Sequence, residues 1–116
     1  MRSAIRLLLA LSLLVVPVRA QSAHTVTITW TDTANPAGTT YTIYRASAAC
    51  STNPTLTKLV SGLTVKTYTD STVTNGTTYC YAATANGPGG ESAFSNQAPA
   101  VIIAPPNAIT ITVTVQ

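Results

Sequence analysis

The chain is predicted to be all-β, folded as an antiparallel β-sandwich. Three observations predict it. Threonine makes up more than a fifth of residues 21–116, and its branched Cβ favours extended backbone. Apolar residues alternate with polar ones in several short runs, the pattern of strands with one face covered. Turn-forming clusters separate these runs at intervals of about ten residues, and no stretch after residue 20 carries a helical period.

The N-terminus is a separate unit. Arg2 and Arg6 precede an apolar run from Leu7 to Val18, and Val18-Arg19-Ala20 places small residues where a signal peptidase reads. About a dozen apolar residues are too few to cross a hydrocarbon core of ~30 Å as a helix. Residues 1–20 are therefore expected to be a signal peptide, residues 21–104 one small domain, and residues 105–116 a C-terminal strand-like extension. The formal charge of +3 comes from six basic and three acidic residues. Arg2, Arg6 and Arg19 leave with the leader. Arg45, Lys58 and Lys66 then balance Asp32, Asp70 and Glu91. A near-neutral mature chain has no clustered basic face for nucleic acid or anionic membrane.

The elements follow in order. His24 to Trp30 alternates, with Val26, Ile28 and Trp30 on one face and threonines on the other. Asn35-Pro36-Ala37-Gly38 is a turn. Thr40 to Arg45 is a strand with Tyr41 and Ile43 on one face. Residues 46–55 are small and polar, with Cys50 and Asn53-Pro54, and read as a loop. Leu56 to Val60 and Lys66 to Thr69, centred on Tyr68, are short strands, and Asp70 to Gly76 is a turn region. Thr77 to Ala85 is a longer strand, with Tyr79, Tyr81, Ala83 and Ala85 on one face and Cys80, Ala82 and Thr84 on the other. A glycine-rich loop, Asn86-Gly87-Pro88-Gly89-Gly90-Glu91, leads to a last strand, Phe94 to Ile103.

Cys50 and Cys80 are the only cysteines. In an exported chain an even number points to a disulfide. Cys80 is out of phase with Tyr79 and Tyr81, so it is expected on the solvent side, within reach of the 46–55 loop. No enzyme constellation is legible. His24 is the single histidine, beside the expected new N-terminus, and no carboxylates are paired in sequence. One histidine and two bridged cysteines do not make a closed zinc site. Gly87-Pro88-Gly89-Gly90 lacks the lysine and following helix of a phosphate loop. Asn75-Gly76-Thr77 has the form of a glycosylation sequon, but Asn-Gly is first a turn signal. The chain is read as a non-enzyme without cofactor or metal.

The order and spacing of these features resemble an immunoglobulin-like fold, the fibronectin type III domain, over about residues 24–103. Trp30 matches that family's core tryptophan on its second strand, and Tyr41-Thr42-Ile43-Tyr44-Arg45 resembles its third strand. Val73, six residues before Tyr79, matches the apolar residue that precedes the family's tyrosine corner, and Tyr79 matches the corner tyrosine. Gly89-Gly90-Glu91-Ser92-Ala93-Phe94-Ser95-Asn96 resembles the approach to its last strand. The resemblance implies a core built on Trp30, Tyr41, Ile43, Tyr68, Val73, Tyr79 and Tyr81. It implies a secreted or periplasmic binding or spacer module for an unnamed protein or carbohydrate ligand. The candidate contact residues are Asn53 in the 46–55 loop and Asn86, Gly87, Pro88, Gly89, Gly90 and Glu91.

One departure alters the expectation. The family opens with a strand that pairs with the tryptophan strand, but only Gln21, Ser22 and Ala23 separate the expected cleavage site from His24. A segment resembling that missing first strand, with its proline lead-in, stands at the other end: Pro105-Pro106-Asn107-Ala108-Ile109-Thr110-Ile111-Thr112-Val113-Thr114-Val115. Two alternative functions follow. One is a structural subunit that assembles head to tail by donating residues 107–116 as a strand. The other is an accessory domain or fragment of a larger extracellular enzyme.

Export with cleavage after Ala20 is directly measurable. Intact mass of the exported protein is expected to correspond to residues 21–116, and a mass retaining Met1 to Ala20 would refute the leader.

Overall fold

The computed structural model describes residues 23–116; the expected leader, residues 1–20, lies outside them. The described chain is all-β, with seven strands: β1 Val26–Thr29, β2 Thr40–Ala46, β3 Thr57–Leu63, β4 Thr67–Asp70, β5 Thr78–Gly87, β6 Gly90–Glu91 and β7 Ala98–Val101. A single 3-10 turn, Cys50–Thr52, interrupts the 46–55 loop. The strands form two antiparallel sheets. One is the pair β1–β4, in register from Val26 opposite Asp70 to Thr29 opposite Thr67. The other has the order β3-β2-β5-β6, with β7 also on β5.

The alternation read from the sequence sets which side chains meet. Ile43, Tyr79, Tyr81 and Ile102 are buried together, and Val26, Ile28, Trp30, Tyr68 and Val73 pack on them. Residues of both sheets thus share one core, the arrangement of a β-sandwich. Tyr41 is buried at one end, edge-on to Trp30 with ring centroids 5.4 Å apart. The Tyr79 hydroxyl accepts a hydrogen bond of 2.9 Å from the backbone N–H of Thr74, five residues upstream, and so fixes the turn that feeds β5.

The strand registers define two poles. Thr40 faces Asn86 at one end of β2–β5, and Ala46 faces Cys80 at the other. The first pole, here the upper, carries the 31–39 and 86–91 loops. The lower carries the 46–55 loop, the 71–77 turn, the start of β1 and the end of β7. His24 Nδ1 pairs with Asn75 Oδ1, and the Ile102 carbonyl accepts from the N–H of Gly76 at 2.7 Å. The first strand therefore begins where the last one ends.

Three expectations need correction. The predicted strand from Phe94 to Ile103 is shortened to β7, Ala98–Val101, and the predicted loop from Asn86 to Glu91 is the β5–β6 hairpin, with irregular residues 92–97 between β6 and β7. Ser92 and Ser95 explain the break. Their hydroxyls accept from the N–H groups of Ala85 and Ala83, both at 2.9 Å. Their own N–H groups donate to the carbonyls of those same residues at 2.8 Å. Side chains thus take over part of the ladder, and the regular pleat is lost. Next, β3 runs past Val60 to Leu63. Third, Cys80 points away from the shared core yet is 0% exposed. The loop that its disulfide anchors covers it. Residues 105–116 pair with nothing in the described chain and are exposed throughout.

The disulfide Cys50–Cys80 joins the 3-10 turn to β5, with Cα atoms 5.0 Å apart. Replacing both cysteines with alanine is expected to cost roughly 3–4 kcal/mol, the chain-entropy value for a loop of this length. A urea midpoint unchanged from that of the oxidised wild type would refute a stabilising bridge.

Candidate functional site

The three carboxylates of the described chain are each tied into the framework. Asp70, at the end of β4, is the deepest, with a side chain 0% exposed. It sits at the lower pole between the two sheets. Arg45 Nη1 of β2 donates to it at 2.7 Å, the Tyr81 hydroxyl of β5 at 2.7 Å, and the Thr72 N–H and hydroxyl at 2.9 and 2.7 Å. Burial by itself raises a carboxyl pKa. Here the donors from Thr72, Tyr81 and Arg45 outweigh it and hold Asp70 down at about 2. Burial and the bond to Asp70 push the Tyr81 hydroxyl above its ordinary range, so it remains a donor at any physiological pH. Arg45 also lies over the Tyr79 ring, 4.9 Å from its centroid, and donates to the Thr72 hydroxyl at 2.8 Å.

The other two carboxylates build the upper pole. Asp32 accepts from the side chain of Asn35 at 2.8 Å, from the Asn35 and Ala34 N–H groups at 3.0 and 3.1 Å, and from the Tyr41 hydroxyl at 2.8 Å. The bonds to Asn35 are the main reason its carboxyl lies well below the usual range. This Asx-type turn gives the loop after β1 a fixed shape. Glu91 lies across the outer face of the larger sheet, where the Thr84 hydroxyl donates to it at 2.6 Å and the Tyr44 hydroxyl at 2.5 Å. Those two donors lower its pKa. Phe94 covers the same face, edge-on to Tyr44 at 4.8 Å.

The structure separates the sequence-predicted contact residues. Asn53 closes the 3-10 turn in the left-handed region at φ 49°, at the lower pole. Asn86 to Glu91 lie at the upper pole, where Pro88 and Gly89 form the tip of the β5–β6 hairpin and Gly90 takes φ +113°. Seven register pairs along β2–β5 divide the two loops, a distance of ~20 Å. They do not form one surface. The 86–91 loop instead faces the loop after β1. Asn35, Pro36 and Thr39 line one wall of a shallow cleft of about 280 Å³, and Asn86 to Ser92 the other. Sequence reading classed Asn35-Pro36-Ala37-Gly38 only as a turn. The Asp-x-x-Asn spacing of Asp32 and Asn35 was the available sign that this loop is rigid. Among the described residues, no three His, Cys, Asp or Glu side chains converge as a metal site would need.

Comparison with models of known protein families finds no match, and comparison with curated proteins finds none either.

The pH dependence of stability follows from Asp70. Its pKa is lower folded than unfolded, where it is about 4. Its contribution is therefore complete above pH ~4 and lost as pH falls through about 2. Asp70→Asn removes the charge opposite Arg45 and is expected to cost roughly 2–4 kcal/mol at neutral pH. It should also flatten the acid limb of the urea-midpoint profile, leaving the share due to Asp32 and Glu91. Parallel wild-type and Asp70→Asn profiles between pH 2 and 5 would refute the assignment.

Proposed function

We propose that the chain is an exported, fibronectin type III–like module that contacts a protein or carbohydrate ligand through its upper pole and carries no chemistry of its own. The observation that carries this reading is the pairing of two braced loops, 31–39 and 86–91, at one end of a cross-linked β-framework. Loops held by a rigid scaffold are the usual place for contacts in such folds. Further support comes from the strand order, with β1–β4 facing β3-β2-β5, and from the Tyr79 hydroxyl bonded back to Thr74. Tyr79 is the residue that the sequence resemblance matches to the corner tyrosine. The Cys50–Cys80 bridge is compatible with an extracellular or periplasmic location. Asp32, Asp70 and Glu91 are all engaged as structural acceptors, which favours a scaffold over an acid–base site.

Pro36 and Pro88 are both exposed, one on each wall of the cleft. The purified mature protein would be incubated with intact cells of its source and with insoluble peptidoglycan, cellulose and chitin, beside a Pro36→Glu/Pro88→Glu variant. Retention of the wild type, with about tenfold weaker retention of an equally stable variant, is the expected result. Equal retention of both forms, or retention of neither on any surface, overturns the contact pole. Recovery of the protein in the cytosol with two alkylatable thiols overturns the exported module itself.

A further inference from the structure

The smaller sheet has two strands among the described residues. Among the described residues β1 pairs only with β4, so its other edge presents backbone N–H and C=O groups with no strand beside them. That edge borders a groove of about 420 Å³. Ile28, Thr29 and Trp30 form one wall, and Ser95, Asn96 and Ala98 the other, with Tyr81 and Ala83 beneath. The Trp30 indole Nε1–H is buried with no hydrogen-bond partner, and the Trp30 side chain lines this groove. A strand laid along β1 would pair with the open backbone groups of that edge and cover the exposed part of the Trp30 ring.

The same chain carries a segment with the properties of the absent strand. Ile109, Ile111, Val113 and Val115 are 78–89% exposed, and Thr110, Thr112 and Thr114 alternate with them. One face is thus apolar and the other threonine, the pattern β1 itself shows with Val26, Ile28 and the exposed Thr27 and Thr29. Residues 105–116 contain no charged side chain, so none would be desolvated on docking. The segment makes no pairing with the other described residues.

Topology makes self-occupation difficult. Ile102 ends at the lower pole, where β1 begins. To lie antiparallel to β1, as every paired strand here does, the segment must start at the upper pole. The seven β2–β5 register pairs span ~20 Å between the poles. Residues 103–106 reach ~14 Å at full extension. A second copy has no such tether.

We propose that the groove beside β1 is the seat of a β-strand supplied by Asn107–Val115 of a second copy of this chain. Donor and acceptor surfaces are different parts of the molecule, so copies join head to tail and the contact propagates into open chains. Backbone pairing along β1 supplies the register, and the apolar face of the donated strand covers Trp30 and Tyr81. The seat lies on the flank of the sandwich, away from the upper-pole cleft, and exists whether or not that cleft holds a ligand.

Residues 21–116 would be compared by sedimentation velocity with residues 21–104 and with an Ile111→Lys/Val113→Lys variant, from low to high micromolar concentration. The two substituted side chains are exposed, so the variant leaves the domain's own core untouched. Wild type is expected to form concentration-dependent oligomers beyond the dimer. The truncated protein should be monomeric, and the variant should associate ~tenfold or more weakly, because each lysine would be buried against the groove. Trp30 is the single tryptophan and gives an independent readout. A peptide of residues 105–116 added to the truncated protein should bind one to one, shift the Trp30 emission and raise the melting temperature. Wild type monomeric at every concentration, or a peptide that leaves Trp30 unchanged, overturns the proposal. So does association that persists after truncation, or a monomeric wild type more stable than the truncated form, which would place the segment in its own groove. A closed dimer abolished by truncation keeps the donated strand but overturns the head-to-tail order.

Discussion

The carboxylate of Asp70 is a charge inside a small protein, and much of the structure is arranged to keep it there. It is fully shielded from solvent and accepts four hydrogen bonds, one from Arg45, one from Tyr81 and two from Thr72. A buried charge without partners costs several kcal/mol, so it persists only where donors converge on it. These donors belong to β2, to β5 and to the turn after β4. The cluster therefore ties the two-stranded sheet to the larger one. A two-stranded ribbon is marginal by itself, and β1–β4 gains its position from this tie and from the packing of Val26, Ile28 and Tyr68. Arg45 extends the bond network by lying over Tyr79, whose hydroxyl holds Thr74. The whole 70–78 turn is thus fixed at both ends.

The opposite face of the larger sheet is covered by different means. Cys80 and Ala82 are buried although they face away from the shared core. The disulfide draws residues 50–52 over Cys80. Further up, Glu91 accepts from Tyr44 and Thr84, and Phe94 leans on the Tyr44 ring. A domain of this size has little volume in one core. Burying both faces of β5 and adding a covalent link offsets that shortage. The upper-pole loops inherit the result, since Glu91 ends the hairpin and the Tyr41 hydroxyl braces Asp32 in the loop opposite.

The two poles differ in what they carry. Loops with polar and glycine-rich tips gather at the upper pole. The lower pole holds the buried ion pair, the disulfide loop and the places where the ordered sheet begins and ends. His24 and Ile102 both touch the 74–77 turn there. That single topological fact separates residues 107–115 from the antiparallel position along the edge of β1 that no described strand occupies.

The period-two patterns of residues 24–30, 40–45 and 77–85 determined by themselves that the chain forms antiparallel strands and which side chains share a face. The reason is local: a pleated strand sends successive side chains to opposite sides. The pairing of Cys50 with Cys80 was equally legible, because no other cysteine exists. Alternation does not say whether the second face meets water, and so it points to a solvent-facing Cys80 where the structure buries it. Composition showed Arg45 and Asp70 only as balancing charges 25 residues apart. Their contact depends on the register Val26 opposite Asp70 and Arg45 opposite Tyr81, a non-local property. Ser92 and Ser95 look like ordinary strand residues until their hydroxyls meet the N–H groups of Ala85 and Ala83. The sequence marked two glycine- or asparagine-containing loops as contact candidates, and only the tertiary structure decided that 86–91 faces 31–39 while Asn53 lies at the other end. Loops join in space through the direction of the strands between them, and that direction is set by sheet pairing, not by the residues of the loops.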